Sequence, residues 1–152
     1  MRGEPVQGYS TQADCDLIGL GVSSIGKLGD VYAQNAKDMA GYAAAIDRDE
    51  LAIARGVRLT ADDRLRRDII TEIMCQFSLR FDAVDAAYGI RFEVAFASEL
   101  ERLKPLEADG LVKVCHDGIE VLPAGRLLVR NVAMIFDRYL VGNPEQQFSR
   151  TI

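Results

Sequence analysis

The sequence predicts a mainly α domain carrying one small β-hairpin. Three observations point there. Apolar residues recur at helical spacing over most of residues 36–140. Two short β-rich runs flank His116-Asp117-Gly118. The first 35 residues differ in texture, because glycines crowd positions 19–29.

Leu17-Ile18-Gly19-Leu20-Gly21-Val22 is a short apolar run, compatible with a fully buried strand whose glycines admit a close neighbour. A lone strand cannot bury both faces, so this segment wants a sheet that the chain does not supply. From Asn35 the pattern turns helical. Asn35 is placed as an N-cap with Asp38 three residues on, and Met39, Tyr42, Ala43 and Ile46 form one apolar stripe. Residues 47–58 read as a charged connection carrying Leu51 and Ile53.

Thr60 and Asp63 have the spacing of a capping box, with Asp replacing the usual Glu or Gln. The helix they open sets Leu65, Ile69, Ile73 and Phe77 at steps of four, flanked by Ile70 and Met74. Arg64, Arg66 and Arg67 cover its other faces. Asp82 caps a short helix through Tyr88, and Gly89 ends it at the C′ position. Phe92, Phe96, Leu100 and Leu103 mark the next helix, which Pro105 kinks or restarts and Asp109-Gly110 closes.

Leu111-Val112-Lys113-Val114-Cys115 and Ile119-Glu120-Val121-Leu122 then form a hairpin near 111–122. Its three-residue loop, His116-Asp117-Gly118, offers glycine for a positive φ. A last helix begins near Pro123 and carries Leu127, Leu128, Val132, Ile135 and Phe136 toward the core. Residues 141–152 read as a polar tail. Helix, hairpin, helix over about 91–140 makes the second half winged-helix-like, a shape that does not by itself imply DNA binding.

Composition bounds the function. The chain has 152 residues, room for one domain or one plus a piece of another. Its three cysteines, Cys15, Cys75 and Cys115, are odd in number and scattered, which suits reduced thiols in a cytoplasmic protein. His116 is the only histidine, so a site needing two imidazoles is excluded. Net charge is −5, and the hairpin tip is not basic, which argues against a nucleic-acid partner. Arg126, Arg130 and Arg138 either reach a phosphate or are solvated and paired with local acids. No apolar run approaches the roughly 20 residues of a membrane span, so no membrane partner is expected. Met1-Arg2-Gly3-Glu4-Pro5-Val6 has no signal-peptide core.

Certain segments are more specific. They are Gln7-Gly8-Tyr9-Ser10-Thr11-Gln12, the run from Asp14 to Ile25, and Gly29-Asp30-Val31-Tyr32-Ala33-Gln34-Asn35. Further on stand Leu59-Thr60-Ala61-Asp62-Asp63 with Arg66-Arg67-Asp68, then Gly125-Arg126-Leu127-Leu128-Val129-Arg130-Asn131, and last Gln147-Phe148-Ser149-Arg150. From about Gln7 to Ile152 the chain resembles the C-terminal third of bacterial oxygen-independent coproporphyrinogen III oxidases. The related heme-chaperone-like proteins carry an Asn-x-x-Tyr-Trp element before the glycines, and this chain has no tryptophan.

The resemblance implies a radical S-adenosylmethionine enzyme whose N-terminal domain, a partial (β/α) barrel, holds a four-iron, four-sulfur cluster on a Cys-x-x-x-Cys-x-x-Cys motif. Such an enzyme oxidatively decarboxylates two propionates of coproporphyrinogen III, giving protoporphyrinogen IX in heme biosynthesis. That motif is not in this sequence, so the fragment is expected to hold no catalytic residue, cluster or metal, and to be inactive alone. Residues 1–35 would then be the end of a truncated catalytic barrel. Residues 36–140 would be the helical C-terminal domain that closes the substrate cleft, with the missing barrel domain as partner.

By the same resemblance Ile25 contacts S-adenosylmethionine, its alternative being a plain core residue at a strand end. Gln7, Tyr9, Thr11 and Gln12 are candidates to line the substrate cleft, although Met1 to Val6 depart from the Arg-Asn-Phe lead-in of the family. Arg66, Arg67, Arg126 and Arg130 are candidates for facing the carboxylates of the substrate, with surface salt bridging as the alternative. The competing class is a stand-alone winged-helix-like module that binds a partner or self-associates through the orphan strand at 16–22.

Overall fold

The computed structural model describes residues 15–140, which divide into two compact units, one within Gln12–Arg64 and one from Leu65 onward. The expected polar tail lies outside the described residues.

The first unit is a β-rich hairpin with a helix inserted. Strands β1 (Ile25–Leu28) and β2 (Val31–Asn35) pair antiparallel through a two-residue turn, Gly29-Asp30. Helix α1 (Met39–Ile46) follows, and strand β3 (Ile53–Arg58) returns to the other side of β2. The register runs Val31–Arg58, Tyr32–Val57, Ala33–Gly56 and Gln34–Arg55, then slips by a bulge so that Asn35 faces Ile53. Apart from Asp63, the buried residues described in this unit are Ala45 and Ala52.

Three expectations change here. The run at 17–22 is not a buried strand: Leu17 makes one bridge to Lys27, while Ile18 and Leu20 are 75% and 83% exposed. The sheet that the segment was expected to want is made by the chain itself from residues 25–58. Self-association, the competing reading, required a strand edge at 16–22; no such strand forms, and an edge of the observed sheet is β3. Residues 47–58 are likewise no mere connection. β3 was hidden because Arg55 and Gly56 interrupt its apolar alternation, leaving no period-2 signal to read. Asn35 does not cap α1, because it belongs to β2. Asp38 takes that position, its Oδ1 accepting from the Gly41 amide at 2.6 Å, and Met39 and Ile46 of the expected stripe are exposed.

The second unit is helical with a three-stranded sheet. Helix α2 (Ala61–Gln76) is opened by the expected reciprocal cap. Thr60 Oγ1 accepts from the Asp63 amide at 3.2 Å, and Asp63 Oδ2 accepts from the Thr60 amide at 2.8 Å. Leu65, Ile69 and Ile73 enter the core, with Ile70 and Met74 packed beside them. Phe77 leaves the helix in a left-handed conformation, φ 57°, and its carbonyl accepts from the Val121 amide.

That departure lets β4 (Ser78–Arg80) join a sheet of order β4-β6-β5, with β5 (Val112–Cys115) and β6 (Gly118–Val121). The hairpin loop is tighter than expected: Cys115 pairs with Gly118, leaving His116 and Asp117 as the turn. Gly118 is needed for space rather than for a positive φ. A Cβ there would stand 2.2 Å from the carbonyl oxygen of Leu79 on β4, far inside van der Waals contact.

Between β4 and β5 run α3 (Phe81–Tyr88), α4 (Phe92–Ala95) and α5 (Ala97–Ala108). Arg80 rather than Asp82 precedes α3, and Gly89 ends it at φ 64°, as its position suggested. The helix expected from Phe92 breaks at Phe96, and Pro105 sits inside α5 without ending it. A 3₁₀ turn (Pro123–Leu128) leads into α6 (Val129–Met134). Val132, Ile135 and Phe136 are buried as expected. Leu127 is 95% exposed and Leu128 also faces solvent, because the tighter 3₁₀ winding rotates both out of the α-helical stripe.

The core of this unit is aromatic. Phe92 stacks on Phe81 at 4.4 Å and on Phe96 at 4.8 Å, and Phe136 closes on both Phe92 and Phe96. Burial of each such side chain is worth roughly 1.5–3 kcal/mol.

Candidate functional site

The glycine-laced segment before β1 has a fixed shape, held by side chains of β2 and α1. Asn35 donates its Nδ2 to the carbonyls of Gly19 at 3.1 Å and Gly21 at 2.9 Å. Gln34 donates its Nε2 to the carbonyl of Ser23 at 3.0 Å, and the Gly21 amide donates to the hydroxyl of Tyr42. Ser23 sits at φ 62°, an unfavourable region for a non-glycine residue, with its amide bonded to the Ala36 carbonyl at 2.8 Å. Ser24 Oγ donates to the Leu20 carbonyl. Gly19 lies so close to the Ile25 backbone that a Cβ would meet it at 2.9 Å. The Gln34-Asn35 pair therefore ties down the segment through its carbonyls.

The loop delivers Ile25 to the start of β1, 41% exposed, so it is not the core residue that the alternative reading required. It pairs with Gln34, whose Oε1 accepts from Arg55 Nε at 2.8 Å. Cross-strand partners in an antiparallel sheet point to the same face, so Ile25, Gln34 and Arg55 form one row. Arg55 is a residue that the sequence reading passed over, since nothing marked 53–58 as a strand. Gln7, Tyr9, Thr11 and Gln12 lie outside the described residues.

The arginines proposed to face carboxylates are largely engaged elsewhere. Arg66 Nη1 lies 2.9 Å from Glu99 Oε1 and 3.0 Å from the Phe136 carbonyl, with its guanidinium over the Phe96 ring. It closes the core rather than facing a ligand. Arg67 pairs with Asp68, Arg126 lies over Phe77, and Arg130 is exposed. Burial pushes the Glu99 carboxyl upward, but hydrogen bonds from Ser98 and Arg66 outweigh it and hold the group below the usual glutamate range. Asp82 is likewise held low, chiefly by its hydrogen bond from Arg80. A cleft of about 370 Å³ opens along β4 and β6, but Asp117 and Glu120 there offset Arg80 and Arg126.

Among the described residues no group of three His, Cys, Asp or Glu side chains could hold a metal ion, so they do not fit an iron-sulfur cluster. No described helix is long and apolar enough to cross a membrane.

Residues 59–128 match a family model described as the HemN C-terminal domain. Two oxygen-independent coproporphyrinogen III oxidases align over 96% of the chain. The Pseudomonas aeruginosa protein is 44% identical and the Salmonella typhimurium protein 48%, each covered over 32% of its own length. A solved structure, described as the coproporphyrinogen III oxidase HemN of Escherichia coli, a radical SAM enzyme, superimposes with a TM-score of 0.83. It is 46% identical, over 88% of this chain and 31% of that one. The match is to its C-terminal part.

Residues 59–128 are similar to the HemN C-terminal domain. The chain spans about a third of the length of these relatives. The matched stretch includes the α2 cap and Phe81, Phe92 and Phe96 of the aromatic core, but stops short of Phe136 and of the Ile25 row. That row lies within the longer alignment with the oxidases.

Proposed function

We propose that this chain is the C-terminal part of a radical enzyme that oxidatively decarboxylates coproporphyrinogen III to protoporphyrinogen IX. Its role is to close the substrate cleft of an N-terminal barrel that carries the cluster and the chemistry. Identity of 44–48% along 96% of the chain is the observation that carries this reading. In this reading Ile25 lies against S-adenosylmethionine, and a half-exposed aliphatic side chain on a tied-down backbone suits that contact. Gln7, Tyr9, Thr11 and Gln12 line the cleft. The helical unit covers the cleft, with a winged-helix-like second half over about 91–140, a reading supported by the order there of helix, β5-β6 hairpin and helix.

The test is to replace the C-terminal third of the Pseudomonas aeruginosa oxidase with this chain. Conversion of coproporphyrinogen III is then followed without oxygen, as porphyrin fluorescence after oxidation. The graft is expected to turn over, the chain alone to do nothing, and Ile25→Asp to reduce the turnover of the graft sharply. A folded, cluster-loaded graft without activity overturns the proposal.

A further inference from the structure

We infer that Arg55 is a carboxylate-binding residue, presented on the same sheet face as Ile25 for the acidic end of a ligand resting there. The inference builds on the proposed contact at Ile25 and adds to it the residue that would receive the charge.

Strands β1, β2 and β3 carry Lys27, Arg55 and Arg58 and no acidic residue, in a chain whose net charge is −5. Register divides these cations between the two faces. Arg55 shares its face with Ile25, Lys27, Tyr32, Gln34 and Val57, whereas Arg58 pairs with Val31 on the opposite face. Arg55 is exposed, and its Nε is spent on Gln34 Oε1. That bond fixes the guanidinium plane while leaving both Nη groups, the two-pronged donor set that matches a carboxylate. Among the described residues no carboxylate lies within ion-pair distance of it. The amide of Gln34 is itself anchored on the Ser23 carbonyl, so the loop that delivers Ile25 and the cation that faces it are held by one side chain. Two strand spacings separate Ile25 from Arg55, about 10 Å between backbones. A ligand with an apolar or aromatic body and a carboxylate at about that distance fits the row.

A carboxylate of this kind could belong to a tetrapyrrole propionate or to the methionine end of S-adenosylmethionine. The 152-residue chain is titrated with coproporphyrin III by fluorescence anisotropy, and with S-adenosylmethionine and butane-1,2,3,4-tetracarboxylate by calorimetry. Each titration is repeated with Arg55→Gln, Arg55→Lys and Arg58→Gln. For at least one probe, Arg55→Gln is expected to weaken binding about three- to tenfold, Arg55→Lys less, and Arg58→Gln not at all. The probe that responds identifies the source of the carboxylate. An equal response to the simple tetracarboxylate keeps the Arg55 site and removes the tetrapyrrole reading beneath it. If no probe binds in an Arg55-dependent way, or if Arg58→Gln weakens binding equally, the inference is overturned.

Discussion

Arg66 reaches across from α2 to set one nitrogen 2.9 Å from Glu99 Oε1 and 3.0 Å from the carbonyl of Phe136. Beside it Arg102 Nη1 donates to the Ile135 carbonyl at 2.8 Å. The two carbonyls just past α6, which a helix end leaves without partners, are thereby satisfied by arginines. The Arg66 and Glu99 side chains are only 18% and 9% exposed, so each depends on the other.

Removing one partner leaves the other's charge poorly compensated in a largely buried place. Arg66→Met or Glu99→Gln is expected to cost about 2–3 kcal/mol, less than for a fully buried pair because some solvent reaches the arginine. The double replacement is expected to cost less than the sum. Chemical denaturation of the four proteins closes the cycle, and strict additivity would refute the coupling.

The same pair makes stability depend on acid. The folded Glu99 carboxyl is held below its ordinary value of about 4.5, so its contribution is present above that value and lost as pH falls through the lower, folded one. Unfolding midpoints should drop as pH falls below about 4.5, and the drop should be shallower in Glu99→Gln. Equal slopes in the two proteins would show that Glu99 is not the group responsible.

Thr60 Oγ1 caps α2 through the Asp63 amide while Asp63 returns the bond. Thr60→Ala is expected to lose about 1 kcal/mol, and Thr60→Ser nearly nothing. Thermal unfolding followed by circular dichroism reads both.

Asn35 holds two loop carbonyls at once. Asn35→Ala should raise amide exchange across residues 19–24 well above that of the β5–β6 hairpin. Unchanged exchange at 19–24 would mean that the backbone holds its own shape.

Gly118→Ala places a methyl group against the Leu79 carbonyl and should detach β4 or cost several kcal/mol, as overpacking does. A variant of unchanged stability would be inconsistent with the described β4–β6 pairing.

The helical unit was legible because its signals are local. Thr60 and Asp63 announce α2, the four-residue steps from Leu65 to Ile73 give its buried face, and Gly89 marks an end. The three-stranded sheet at 25–58 was not. Its strands are short, and polar or glycine positions interrupt each one, so pairing rather than periodicity creates it. Phe77 misled for a related reason: it continues the spacing of α2 perfectly well, but its left-handed backbone turns the chain into β4. At the site, Ile25 was reached through resemblance and the Gln34-Asn35 pair was noticed only as distinctive. What those amides do, and that Arg55 shares their row, emerges only from strand register.

The central place of β2 has a practical consequence for anyone dissecting this molecule. A cut at residue 35, where the composition changes, would separate β2 from β3 and break the ladder from Val31–Arg58 to Asn35–Ile53. A truncation meant to isolate the helical half would keep a strand stripped of its mate, ready to seek another. Trimming nearer residue 59 avoids that edge and still retains Thr60 for the cap of α2.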